Sequence, residues 1–408
     1  MKLLSRILTV TLISILLTFL TLSATPATAQ AGLPVTAYVD AEGLAVYIPG
    51  QGVVHRIAGT PTQFNNLRFD ANGSRLLYTR YVNGGQAVHL LDVGSGSQQT
   101  LTENAAFLPP AFGRDGAVYY TEMNNSEITE SPTGPQLGVT IFRFDIGSAQ
   151  PVGEVGVGVG CGGGSPFPMD AAYNIEAGFG GRALTFTDTA SGMLYSLNCA
   201  GVGLGLVDLE TGEIRILSEA ISRVTLAPDE ARIAGVDERS GQLTVIDLRD
   251  GAASTLGNAH PVDQLTWSSD GGAVFYSSRE LLPDPLPLSE DEAAAVARTL
   301  GLPADGIPQY NVRIQRISTG GGESTIFSEP AWAVGRMYSR GGALYFSLIS
   351  NGEAWVEALA SGEIDPLAAD SFAQAWQSVV ITLLTMPGSG GDVTEIGRNM
   401  YLFRLVPA

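Results

Sequence analysis

Three histidines, His55, His89 and His260, and two cysteines, Cys161 and Cys199, are the only imidazoles and thiols in the chain. These side chains most readily carry acid–base, nucleophilic or metal chemistry near neutral pH. Their spacing assembles no known device. No H-E-x-x-H pair, G-x-S-x-G elbow or D-x-D-x-D-G calcium loop occurs. Two thiols without a nearby histidine pair do not complete a four-ligand zinc site. His260 and Asp263 form one candidate pair, set against a solvated loop histidine. Lys2 is the sole lysine. The rest of the chain therefore has no Schiff-base lysine, P-loop lysine or lysine base. The glycine-rich run CGGGSP has neither a lysine nor a following helix pattern, so it is no phosphate loop. No catalytic residue, metal or cofactor is expected.

Carboxylates are plentiful. Asp and Glu number 41 against 22 Lys and Arg, for a formal net charge of −19. Such a surface repels phosphate backbones and argues against a nucleic-acid partner. Many acids gather in three stretches: Glu122, Glu127 and Glu130; Glu154, Asp170 and Glu176; Asp284, Glu290, Asp291, Glu292 and Asp305, faced by a single Arg298. Two readings stand. One is a solvated face that keeps the protein soluble. The other is a surface for a basic protein or peptide, with Glu127, Glu130, Asp170, Glu176, Glu290, Asp291 and Glu292 as candidate binding residues.

The N-terminus reads as an export signal over 1–29. Lys2 and Arg6 precede the apolar run Ile7 to Leu22, and Ala27-Thr28-Ala29 gives a small-x-small cleavage pattern. The mature chain is expected to begin at Gln30; an uncleaved anchor is the alternative. Export implies a periplasmic, cell-surface or secreted protein, taken as a monomer. It also favours a Cys161–Cys199 disulfide over two free thiols.

The positioning elements emerge from the stretch Gln264 to Ser278. Leu265 and Trp267 alternate with polar residues, Ser269, Asp270, Gly271 and Gly272 make a turn, and Val274, Phe275 and Tyr276 begin a second strand. Weaker copies follow Phe69, Phe112, Phe186, Leu226 and Tyr338, and an N-terminal copy spans Val35 to Ile48. Third and fourth strands follow most of them. Leu226 to Trp267 and Phe69 to Phe112 are separated by about 40 residues, the period of a propeller blade. The fold is therefore expected to be all-β: one propeller over 30–408 with seven four-stranded blades, or eight if the C-terminal strands stand alone. The first unit lacks a fourth strand in its own stretch, and the C-terminal MYLFRLV is expected to supply it.

Trp267-Ser268-Ser269-Asp270-Gly271, followed by Val274, Tyr276 and Ser278, resembles the TolB-type, WD-like propeller repeat. Ala227-Pro228-Asp229 keeps the Pro-Asp pair and Gly113-Arg114-Asp115-Gly116 keeps Asp-Gly. The likeness implies a propeller and is consistent with several functions, because such propellers serve as binding platforms and as enzyme domains.

In a four-stranded meander, first–second and third–fourth turns leave one face, and second–third turns and blade links leave the other. The long insertions 122–138, 151–181 and 281–310 all fall in the second class, which marks that face as the working surface. The last should hold one short helix capped by Ser289, either a lid or a docking helix. Two functions follow. The first is a non-enzymatic binding platform for a protein, peptide or envelope component. The alternative is a hydrolase or lyase with carboxylates at the tunnel mouth.

Overall fold

A computed structural model describes residues 33–407 apart from 83–84, 107, 125–128, 132–133, 159–184, 199–201, 259–260, 286–288, 292, 295–308, 351–360 and 362–379. Strands β1 (Thr36–Asp40), β2 (Gly43–Ile48) and β3 (Gly52–Ala58) start the chain. Next come β4 (Phe64–Phe69), β5 (Arg75–Val82), β6 (Gly85–Asp92) and β7 (Gln98–Thr102). The third group is β8 (Ala111–Phe112), β9 (Val118–Met123), β10 (Thr129–Ser131), β11 (Gly134–Asp145) and β12 (Ser148–Gly158). Then follow β13 (Phe186–Thr189), β14 (Gly192–Ser196), β15 (Leu204–Val207) and β16 (Ile214–Ser218). The fifth group is β17 (Ile221–Leu226), β18 (Arg232–Asp237), β19 (Gln242–Asp247) and β20 (Ala253–Asn258). The sixth is β21 (Val262–Trp267), β22 (Ala273–Leu281), β23 (Tyr310–Ser318) and β24 (Glu323–Pro330). The last strands are β25 (Ala333–Arg340), β26 (Ala343–Ile349), β27 (Ile381–Pro387), β28 (Thr394–Arg398) and β29 (Leu402–Leu405).

These strands form seven separate antiparallel sheets, one per blade, and the molecule is a seven-bladed β-propeller. In every blade but the first, the first strand of the unit lies innermost, and neighbouring inner strands touch around most of the ring. The hydrophobic core explains the sequence pattern. Seven apolar clusters each lie between two neighbouring blades, such as Phe69, Leu76 and Tyr78 against Val39 and Leu44. Both faces of a blade are thus covered. Strands such as Val274-Phe275-Tyr276 accordingly read as continuous apolar runs rather than clean alternations.

The C-terminus does close the first blade, but on its inner side. β29 pairs with β1, with Tyr38 opposite Phe403 and Ala37 opposite Arg404. The order β29-β1-β2-β3 makes β29 the innermost strand and β3 the outermost. The missing strand is therefore the first, not the fourth, and His55 on β3 lies on the blade's outer edge. Strand alternation cannot tell one hairpin of a blade from the next, so Asp40-Ala41-Glu42-Gly43 passes for a first–second turn. Gly43 holds φ +121°, and a Cβ there would stand 2.2 Å from the Ile57 carbonyl oxygen. Only glycine fits that turn.

Two other expectations are refined. The insertion after Met123 returns as a hairpin, β10 pairing with the start of β11. The start of the 151–181 stretch is the long outer strand β12, so the link proper runs from 159 to 185. The expected helix opens where its cap lies: Glu290, Asp291, Ala293 and Ala294 are helical, and the Ala293 N–H donates to the Ser289 carbonyl at 2.9 Å.

Candidate binding face and channel

The short turns of one face are devoted to holding blades together. In Trp267–Gly271, the indole Nε1 donates to the Thr225 carbonyl of the preceding blade at 3.0 Å, and the Arg232 guanidinium lies 5.1 Å above the ring. The Ser268 hydroxyl donates to Asp270 Oδ1 at 2.6 Å and accepts from the Ala273 N–H at 2.8 Å. Gly271 takes φ +68°. The Ser269 N–H donates to the Ser339 hydroxyl of the following blade. This motif is structural. Asp70 repeats the design: Ser74 and Arg75 donate to its carboxylate, and Arg75 Nη2 reaches the Gly116 carbonyl of the next blade at 2.8 Å. Burial pushes the Asp70 carboxyl up, but the combined hydrogen bonds of Ser74 and Arg75 outweigh it and hold the carboxyl below its ordinary range.

The opposite face gathers the long connections. Antiparallel alternation sends the β9–β11, β22–β23 and β12–β13 connections out at that end, and it adds a fourth, 350–380 between β26 and β27. The pairing of β26 with β27 across it is not legible from local sequence. On this face Asp284, Glu290 and Asp291 are exposed, as is Glu154 on β12, while Glu122 at the end of β9 is half-buried. The backbone of Glu130 lies in β10. Glu127, Asp170, Glu176, Glu292, Asp305 and Arg298 lie outside the described residues, as do His260, Cys161, Cys199 and the 1–29 segment. Tyr81, Val82, Met123 and Leu281, at the ends of β5, β9 and β22, expose apolar surface toward the same end.

Two described carboxylates at this end, Glu238 and Asp263, are engaged by arginines. Glu238 lies 2.8 Å from Arg223 and accepts from the Ser222 hydroxyl. The buried Asp263 lies 3.5 Å from Arg279, whose guanidinium covers the Tyr310 ring at 4.9 Å. Among the described residues no group of three or more His, Cys, Asp or Glu is placed to hold a metal ion. His89 stacks on Tyr78 at 5.0 Å and His55 bonds to the Val93 carbonyl oxygen, so both serve packing.

The inner strands carry a feature the sequence did not announce. Register shifts interrupt β4, β17, β21 and β25 early in each strand. Asn66 and Arg223 sit in two of these bulges at φ +52° and +53°, a region costly for residues with a Cβ. Bulges re-aim side chains, and the inner strands bear Arg68, Arg223, Arg336 and Arg404.

No family model matches the chain, and no curated protein does. Solved structures do. TolB from Acinetobacter baumannii matches at 16% identity with TM-score 0.42, covering 73% of this chain and 64% of that one. A putative TolB from Agrobacterium tumefaciens matches at 12% identity with TM-score 0.39, covering 91% and 94%. A putative 6-phosphogluconolactonase from Bacteroides uniformis matches at 11% identity with TM-score 0.48, covering 88% and 94%. The chain thus spans less than two thirds of the Acinetobacter protein. At these identities the neighbours include both TolB proteins and enzymes, and no function passes from them to this chain. Among the described residues, no helix is long and apolar enough to cross a membrane.

Proposed function

We propose that the protein is an exported, non-enzymatic binding platform whose long-connection face takes a basic protein or peptide. The carrying observation is the segregation of connections: four long ones leave one end of the propeller, and short, internally bonded turns fill the other. A rigid ring that presents long loops on one face is a recognition scaffold. The exposed acids Asp284, Glu290 and Asp291 supply attraction there, and Tyr81, Val82, Met123 and Leu281 supply apolar contact. The pairing of Glu238 and Asp263 with arginines speaks against the hydrolase or lyase reading, which needs an unengaged acid–base pair at the mouth.

A labelled oligo-lysine peptide tests this by fluorescence anisotropy. Binding should weaken from about 0.1 M to about 1 M salt, as the Debye length shrinks from ~10 Å to ~3 Å. Changing Glu290→Gln, Asp291→Asn and Glu292→Gln together removes three acidic charges from that connection. At roughly 0.5 kcal/mol each, affinity should fall about tenfold. Affinity indifferent to salt and to the triple variant would refute the reading.

A further inference from the structure

We propose that the central channel holds a binding site for a small oxyanion, a carboxylate or phosphate group, formed by Arg68, Arg336 and Arg404 beside Tyr338. These residues come from three consecutive inner strands, β25, β29 and β4. Register sets three of them at one level. Arg404 pairs with Ala37, Arg68 with Leu77 and Tyr338 with Tyr345. Each of those partners immediately precedes the buried aromatic of its second strand, Tyr38, Tyr78 or Phe346. Arg336 lies two residues before Tyr338, inside the β25 bulge.

Contacts place the group at the centre of the ring. Arg68 Nη1 donates to the Phe186 carbonyl at 2.7 Å, bridging from the second blade to the fourth. The two-residue β8 lies between those blades in the ring order. The Arg404 guanidinium lies 4.8 Å over the Tyr338 ring. Its Nε is buried without a hydrogen-bond partner among the described residues. No described carboxylate is ion-paired with Arg68 or Arg404, although 11 described arginines appear in such pairs elsewhere.

Like positive charges brought together on the half-buried inner strands repel one another. Burial, then the neighbouring Arg404 and Arg336 charges, push Arg68 down to about 9. An oxyanion among the guanidinium groups relieves that repulsion, and the planar forks suit a carboxylate or phosphate edge. This site is independent of the basic partner on the loop face.

Thermal unfolding and isothermal titration calorimetry with inorganic phosphate and with citrate, at fixed ionic strength, test the site. A ligand that binds only the folded state raises the melting temperature saturably. The proposal expects saturable binding of at least one anion by the wild-type chain. Phosphate alone, or citrate alone, identifies which group the site prefers. Arg404→Gln and Arg336→Gln, separately, should weaken it at least about tenfold, whereas Arg398→Gln, at the exposed Arg398–Glu395 pair, should not. If both channel variants fail to fold, competition in the wild type decides: phosphate and citrate must displace each other if both bind. No saturable binding of either anion, additive binding of the two, or equal binding by Arg404→Gln overturns the site. A non-saturating rise common to every variant is general salt stabilisation and counts against it as well.

Discussion

Asp70 shows how one side chain secures both a turn and a blade contact. Its carboxylate accepts from the Ser74 and Arg75 N–H groups, and it steadies the Arg75 side chain that reaches Gly116. Because its pKa is lowered on folding, its contribution is complete above the unfolded value near 3.9 and is lost as pH falls through the folded one. Asp70→Asn should therefore cost about 1–3 kcal/mol at pH 7. The difference should shrink by pH 3 when urea unfolding of the two proteins is compared, and a gap equal at both pH values would contradict this role. The turn was legible in Asp70-Ala71-Asn72-Gly73, since Asp and Gly chemistry is local. Arg68, two positions earlier, was not. An arginine on a half-buried strand reads as solvated until the ring places that strand at the centre.

At the scale of elements, the blade count followed from periods and turn residues in the sequence, while the fourth long connection did not. The position of the closing strand did not, because β1–β2 and a true first hairpin share one pattern of alternation. Pairing settles it: Tyr38 faces Phe403 on β29, and the Arg340 guanidinium donates to the Val406 carbonyl across the seam between the seventh and first blades. The proposed Cys161–Cys199 bridge belongs at this scale. Gly158, at the end of β12, forms a parallel bridge with Asn198, and its N–H donates to the Leu197 carbonyl at 2.7 Å. The segments leading to both cysteines thus run side by side just before them. A disulfide needs Cα atoms within ~4.4–6.8 Å. Closing the 39-residue loop would stabilise by roughly 3–4 kcal/mol on the chain-entropy account. Mass spectrometry of non-reduced, alkylated protein should find no alkylated thiol; two per chain would show that the bridge is absent.

Across the whole molecule, charge and connection length are sorted by position. Short bonded turns close one end, the long connections leave the other with Asp284, Glu290 and Asp291 exposed, and arginines lie on the inner strands. The acidic composition was legible because the counts report charge directly, whereas the arginine centre required the strand order. Hydrogen–deuterium exchange with and without a bound oligo-lysine peptide tests the working face most directly. Protection should appear at residues 122–124, 134–138 and 281–291, with the turns at 70–74, 113–117 and 268–272 unchanged. Protection confined to those short turns would contradict the assignment of the binding face.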